Sequence, residues 1–588
     1  MKIKILIHDR NYSTWSFIDE DTYQEPSTQP IVSPLEHKLF SKDVILYDPD
    51  TESFSVEYSH VRSGTSLAGV LVLAGNRTFG TSTVKKKANA KYLYKCIPDD
   101  KHLPSFLVPY EQPIHFSKVF KNKFVIFQFD HWNDQHPHGK LLATIGEVDH
   151  LDAFYEYQLY CKSIHISLTQ FSNKAREQLQ KQSQTEYIHQ ILQNPHFHIE
   201  DRRTTVEPFS IDPNNSADFD DAFSIYQNPQ TNNIHVTVYI ANVFVWLETL
   251  HLWKSFTDRV STIYLPDRKR PMLPTILSDN LCSLQANQDR FAFAMDLVYS
   301  PLPASPLPAS LIDVSFKMVL IRVAHNFNYE NPALIKYPPY ISLYDITQKL
   351  QKNTTDSHDV VSYWMVQMNA FCGRRMAESN IGIFRQATFT RPVQIDDIEQ
   401  SSLSTASKRM ITMWNNVSGQ YVLRISPENN DEDNIHHDVM KLSNYTHVTS
   451  PIRRLVDLIN QIWMFSTFRM IDNISQEAEE FLEKWLGQLE YVNTAMRSIR
   501  KIQSDCEILG KCVNNPRILE SNHTGVLFDK VNKNDGGFVY MVYLEGLNLL
   551  TRLKTYADYS NYTTQTFRLF LFVDEHSLKK KIRIQELC

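Results

Sequence analysis

The stretch "SIDPNNSADFDDAFSI", Ser210–Ile225, decides how the chain is read. It sets four carboxylates, Asp212, Asp218, Asp220 and Asp221, between the apolar flanks "PFSI" and "AFSIY". Like charges at this density repel unless water screens them or a cation neutralises them. Three readings compete. A solvated turn suits Asp and Asn, which favour turns and caps, but the apolar flanks tie this loop to core strands. A calcium loop puts Asp212, Asn214 and Ser216 at its first three ligand positions. It then fails at its two diagnostic places, with Ala217 for the glycine and Phe223 for the bidentate glutamate. A magnesium cluster needs hard oxygen ligands and leaves positions for water and phosphate oxygens. Two such ions, ~3.5–4 Å apart, clamp the attacking and leaving oxygens of a phosphodiester hydrolysis.

Outward from that loop, the bulk properties describe a multidomain chain. Its 588 residues suggest roughly 3–5 domains. Hydrophobic content of 42% and charged content of 21% are those of a globular protein. No apolar run approaches a membrane span, and the N-terminus turns polar at His8, too early for a signal peptide. No membrane partner is expected. The seven cysteines are scattered, without CxxC, which points to reduced thiols in a cytosol-like compartment and away from zinc. A net charge of −6 opposes a surface that coats nucleic acid throughout, but is compatible with RNA held in a local basic channel.

Residues 1–60 show no strong period and stay unassigned. From residue 61 to 175, five short β-rich runs ("GVLVLAG", "KYLYKCI", "PSFLVPY", "KFVIFQF", "KLLATIGEV") alternate with polar turns, as in a small barrel of the oligonucleotide-binding kind. Tyr92, Tyr94, Phe106, Phe124, Phe127 and Phe129 interleave there with Lys85, Lys86, Lys87, Lys121 and Lys123. Most of these aromatics are expected in the core, a few on a stacking face. A helical polar linker occupies 176–200. Residues 201–515 mix strands with long helical runs and read as a large α+β domain. The Pro-rich repeat "PLPASPLPAS" at 301–310 is expected as an exposed loop. Strands return over 516–588 as a second small barrel.

In "TSPIRR", Ser450 is a good N-cap and Pro451 suits the first helical position, so Arg453 is expected in the first turn. A helix N-terminus beside a guanidinium is a phosphate site.

The acidic segment "IDPNNSADFDDAFSI" resembles the signature of the ribonuclease II family, the RNB-domain exoribonucleases, with all four acidic positions filled. Three further segments resemble the family in the expected order. "HVTVYIANVFVWL" (235–247) matches its H-V-x-I-A-D-V strand, with Asn242 in place of the aspartate. "STIYLPDRKRPMLPTILSDNLCSL", from Ser261, matches Y-L-P-x₄-P-M-L-P-x₂-L-S-x₂-L-C-S-L. "NYTHVTSPIRRLVDLINQ" (444–461) matches Y-T-H-F-T-S-P-I-R-R-Y-x-D-L, with Leu455 where the family has an aromatic. The segment upstream resembles the second cold-shock barrel of the branch that contains the exosome's catalytic subunit. The resemblance implies an RNB catalytic domain flanked by OB-type barrels, cold-shock-like before it and S1-like after it. The N-terminal endonuclease domain of that branch, and exosome association, are not expected.

The resemblance further implies Mg²⁺-dependent 3′→5′ hydrolysis of single-stranded RNA to nucleoside 5′-monophosphates, by a cytoplasmic monomer. Asp212, Asp218, Asp220 and Asp221 would hold two Mg²⁺ ions, with Mn²⁺ able to substitute, and Asp220 and Arg453 would be catalytic. Tyr264, Tyr329, Arg453 and Arg454 would contact RNA. Asn369 and His447 match polar family positions without a derivable role. The bacterial enzymes' catalytic glutamate has no counterpart in "MRSIRKIQSDCEILG", where Arg497, Arg500 and Lys501 read as a solvated basic face. Two rivals stand beside this reading: a nuclease of other polarity built on an aspartate cluster, and a catalytically inactive RNB-like scaffold that binds RNA.

Overall fold

The computed structural model describes residues 1–587 apart from 27, 83–90, 112–119, 302–309, 388–397, 399, 418, 425–436, 438–441 and 534–535. Lys85, Lys86, Lys87 and nearly all of the repeat at 301–310 lie outside the described residues. The chain divides into two units. One comprises Met1–His165, Leu265–Arg268 and Arg500–Cys588, the other Ile166–Tyr264 and Lys269–Ile499.

The first unit begins with a four-stranded antiparallel sheet. Its strands, in spatial order, are Trp15–Asp19, Lys2–Ile7, Val44–Asp48 and Ser53–Tyr58. "KIKILI" alternates strictly, and Ile3, Ile5 and Ile7 are buried, as a strand with one covered face requires. Residues 1–60, unassigned from sequence, thus form a sheet. Its core is continuous with that of a closed five-stranded barrel built from Ser66–Leu71, Tyr92–Pro98, Phe106–Tyr110, His138–Glu147 and Lys123–His131. Phe40 of the first stacks on Phe106 of the second at 5.9 Å. Tyr94, Phe106, Phe124 and Phe127 are barrel core, Phe129 is partly buried, and Tyr92 is exposed. At the C-terminus lies a five-stranded antiparallel sheet. Its order is Leu549–Thr555, Phe538–Leu544, His523–Asn532, Thr563–Val573 and Lys580–Glu586, around Leu527, Tyr540, Val542, Phe567 and Leu569.

The second unit is organised by a seven-stranded mixed sheet. The strands run Ile199–Asp201, Leu311–Arg322, Asp289–Tyr299, Ile234–Ala241, Asp221–Gln227, Phe209–Asp212 and His325–Asn328. Ile234–Ala241, "IHVTVYIA", is buried on both faces, the pattern of a central strand covered on both sides. Asn242, the departure from the family aspartate, caps the helix Val243–Thr249: its side chain accepts the Val245 N–H at 3.2 Å. The polar residues 176–200 hold the end of the helix Thr169–Leu179 and all of the helix Gln184–Gln193, the second opened by a capping box of Ser183 and Glu186.

Candidate active site

The strands Phe209–Asp212 and Asp221–Gln227 are antiparallel neighbours, with Phe209 opposite Phe223. Asp212 therefore ends one strand where Asp221 begins the other, and the loop between them carries Asp218 and Asp220 to the same end of the sheet. The loop is pinned from outside. Ser283, fully buried, donates its Oγ to the Ala217 carbonyl at 2.8 Å and accepts the Phe219 N–H at 3.0 Å. The Leu284 N–H donates to the Phe219 carbonyl, and the Ala241 N–H to that of Asp220. Tyr329 donates its backbone N–H to the Asp212 carbonyl.

Asp212, Asp220 and Asp221 are buried, and each has a carboxylate oxygen without a hydrogen-bond partner. Burial is the main cause that pushes the Asp212 and Asp220 carboxyls up to about 7. Burial also raises Asp221 well above the usual range, with Asp212 and Asp220 adding to it. Asp218 is handled differently: Lys269 Nζ donates to its Oδ1 at 2.9 Å, and the Tyr264 hydroxyl lies 3.4 Å from its Oδ2.

The segment "TSPIRR" meets this loop directly. The Ile452 N–H donates to Asp220 Oδ1 at 3.1 Å, and Arg453 Nε lies 3.0 Å from Asp220 Oδ2. The expected helix start is corrected here. The helix runs Leu455–Thr467, with Arg454 at its cap position in extended conformation. Residues 451–453 form a turn closed by the Arg453 and Arg454 N–H groups on the Ser450 carbonyl. Its backbone is claimed by other partners. Ile452 serves Asp220, the Ser450 N–H serves Asp457 Oδ1 at 2.8 Å, and the Leu455 N–H serves the Val260 carbonyl. Thr262 N–H and Ser261 Oγ hold the Arg453 carbonyl, and Arg453 Nη2 reaches Ser450 Oγ at 3.1 Å, leaving a half-exposed guanidinium.

The structure thus brings Asp212, Asp218, Asp220, Asp221, Arg453 and Tyr264 together. Tyr329 sits beside them with its ring stacked on His358 at 3.7 Å. Arg454 stands apart. Its guanidinium is on the fully buried Asp457 at 2.9 Å and near Thr449 Oγ1 at 3.4 Å, an ion pair that fixes the turn. Asn369 accepts the Val448 N–H at 2.9 Å and donates to the Tyr445 hydroxyl at 3.1 Å. His447 Nδ1 lies 2.9 Å from the Tyr421 hydroxyl. Both contacts hold residues just ahead of the turn. Sequence reasoning missed Ser283, Asp457, Lys269 and Asp279. The motif segments "SDNLCSL" and "RRLVDL" contain three of them, but spacing along the chain does not say what each touches.

Among the described residues, no group of three or more His, Cys, Asp or Glu side chains is already arranged to hold a metal ion. The donor set still fits a hard cation. Of three buried, mutually repelling carboxylates, Asp212 and Asp221 offer oxygens without hydrogen-bond partners and Asp220 offers one held by Arg453, and Mg²⁺ retains water and phosphate ligands rather than requiring a full protein cage.

The profile of the RNB domain matches residues 202–336 and 333–468, and that of the Dis3-like cold-shock domain 2 matches residues 93–157. Ribonuclease R of Chlamydia pneumoniae is 24% identical over 384 residues, 54% of this chain and 56% of that protein. The chain spans about half the length of the curated relatives it matches. In fold, it resembles Mycoplasma genitalium RNase R, solved in complex with ribose methylated single-stranded RNA, with a TM-score of 0.65 over 100% of both chains at 14% identity. It also resembles yeast Ssd1, described as a pseudonuclease, with a TM-score of 0.57 over 94% of this chain and 78% of that one at 12% identity. Among the described residues, no helix is long and apolar enough to cross a membrane. With an RNB domain spanning the acidic loop and the Arg453 turn, and a Dis3-like cold-shock domain before it, the chain belongs to the RNB-domain, or ribonuclease II, family.

Proposed function

We propose that this chain is a Mg²⁺-dependent 3′→5′ exoribonuclease that hydrolyses single-stranded RNA to nucleoside 5′-monophosphates. The observation that carries the reading is the facing pair of Asp220 and Arg453, 3.0 Å apart at the end of the sheet where all four carboxylates gather. Asp212, Asp218, Asp220 and Asp221 would hold the metal, two Mg²⁺ ions or Mn²⁺ in their place. When bound, it supplies an acidified water and neutralises phosphate oxygens.

The protein's own groups do the rest. The Ile452 N–H fixes the Asp220 carboxylate, so its other oxygen keeps one direction. The Arg453 backbone is held by Ser261 and Thr262, which aims a guanidinium at the place where charge builds on the reacting phosphate. Without substrate, that guanidinium rests on Asp220. With RNA present, a phosphate oxygen takes its outward N–H groups. The Tyr264 ring, 43% exposed, offers a face for the terminal base. Burial around Asp212, Asp220 and Asp221 keeps water out and strengthens each of these interactions.

The test is degradation of a 5′-labelled oligoadenylate, the same DNA sequence, and a duplex with a 3′ overhang, each with and without Mg²⁺. Stepwise shortening of RNA from its 3′ end, only with metal, is expected. Arg453→Ala should slow it by about 10²–10³-fold with RNA still bound. The competing reading, an inactive RNA-binding scaffold, predicts retention of the oligoadenylate with no shortening in either Mg²⁺ or Mn²⁺.

A further inference from the structure

Lys269 lies against the acidic loop, and the chemistry above gives it no task. It belongs to the two-residue strand Lys269–Arg270, which pairs with Ile263–Tyr264 so that Lys269 is opposite Tyr264. Its Nζ donates to two carboxylates at once, Asp218 Oδ1 at 2.9 Å and Asp279 Oδ1 at 2.9 Å. The second carboxylate is itself braced. Ser278 Oγ donates to Asp279 Oδ1, and Gln285 Nε2 donates to the Asp279 carbonyl, both at 2.6 Å. Asp279 lies in the π-helical turn Leu277–Leu281, a geometry that recurs at functional sites.

The contrast among the four aspartates gives Lys269 its meaning. Asp212 and Asp221 each keep a buried oxygen without a hydrogen-bond partner, and Asp220 faces Arg453. Among the described residues, Asp218 is the one of the four paired with a lysine. That ammonium is half-buried and held at two points, so it is a fixed positive charge rather than a passing surface contact. A fixed charge beside a carboxylate cluster has two consequences. It holds Asp218 in one orientation, together with the Tyr264 hydroxyl, and it repels any further cation that approaches the cluster.

We infer that Lys269 is a positioning residue of the acidic site: braced by Asp279, it orients Asp218 and supplies positive charge that the carboxylates would otherwise draw from divalent metal. This rests on the proposed reading of the carboxylates as a cation site. In the wild type, the lysine weakens metal binding and in exchange keeps Asp218 in register with the Tyr264 hairpin.

The experiment is a Mn²⁺ titration of the full chain stripped with EDTA, without RNA, with free Mn²⁺ followed by electron paramagnetic resonance. Lys269→Gln should bind Mn²⁺ about five-fold more tightly, as removal of a unit charge several ångströms from a divalent ion implies. Lys269→Arg, which keeps the charge, should retain the wild-type affinity. At saturating Mn²⁺, kcat of Lys269→Gln on oligoadenylate should fall about ten-fold with KM for RNA nearly unchanged, because Asp218 has lost its brace. A merely structural lysine would not make metal binding tighter. Lys269→Met provides the same readout should the glutamine variant not fold. If the wild type binds Mn²⁺ and the charge-free variant binds it equally or more weakly, the inference is overturned while the cation site stands. If the wild type binds no Mn²⁺ at millimolar concentration, the cation site falls, and the inference with it.

Discussion

Asp220→Asn separates function from stability at one atom. The Asp220 carboxylate is 2% exposed, accepts the Ile452 N–H and faces Arg453. Asparagine keeps an oxygen for Ile452 and removes the charge. Burial pushes the Asp220 carboxyl up to about 7, against which Arg453 works in the opposite direction. A carboxyl raised above its unfolded value of ~3.9 favours the folded state fully below that value, and the advantage is lost as pH rises through about 7. Roughly three units at 1.36 kcal/mol each make the metal-free wild type about 4 kcal/mol less stable at pH 8 than it would be with a neutral group there. The variant escapes that loss. In EDTA, Asp220→Asn should therefore be about 2–4 kcal/mol more stable at pH 8, and nearly equal to wild type at pH 4. Added Mg²⁺ should close most of that gap. A ligand at one hundred times its Kd stabilises the wild type by about 2.7 kcal/mol, and a variant lacking a ligand much less. Urea unfolding at both pH values, with and without 10-fold steps of Mg²⁺, measures this directly. RNA shortening by the variant should be undetectable, with oligoadenylate binding retained. A variant that is less stable than wild type at pH 8 in EDTA, or that Mg²⁺ stabilises as much as wild type, would refute the reasoning.

Three further outcomes follow from other contacts. Ser283→Ala leaves the Ala217 carbonyl and the Phe219 N–H without their side-chain partner, and should cost about 1–3 kcal/mol and lower kcat with KM for RNA unchanged, as read by urea melts and steady-state kinetics. Gly373→Ala places a methyl 2.3 Å from the Asn444 carbonyl oxygen, just ahead of the turn that carries Arg453. That backbone must shift, so at least about 1–3 kcal/mol of stability and a share of turnover should be lost together, which thermal melts and the shortening assay report. Asp43, fully buried in the N-terminal sheet unit, accepts the Phe40 N–H at 2.8 Å, and its carboxyl is pushed up to about 6, mainly by burial. Stability from this group is present below about pH 4 and lost as pH rises through 6, so Asp43→Asn should gain up to about 3 kcal/mol over wild type at pH 8 and nothing at pH 4. A pH-independent difference in denaturant midpoint would contradict it.

Much of the architecture was legible in the chain itself. The barrel strands 61–150 were visible because each is a short apolar run bounded by polar turns, and local pattern is enough for that. The sheet of residues 1–60 was missed although "KIKILI" alternates cleanly, because one six-residue period with long irregular stretches after it carries little weight alone. Its stability comes from a core shared with the barrel, a contact between segments that sequence order keeps apart.

The acidic loop shows the same division. Composition and spacing between Asp212 and Asp221 raised a cation site as one of three readings, and the match of this segment and three others to the family signature is what placed the chain beside the RNB exoribonucleases. The "TSPIRR" helix was misplaced, because local propensity favours Ser450 as a cap and Pro451 as the first helical residue. Propensity is worth about 1 kcal/mol, whereas the turn's amides are held by the carboxylates of Asp220 and Asp457. Which of two adjacent arginines faces the acid cluster, which serine pins the loop and which lysine sits on Asp218 were decided only in three dimensions. Each is a pairing between residues 51 to 233 positions apart, and no local pattern encodes the partner of a charge that distant.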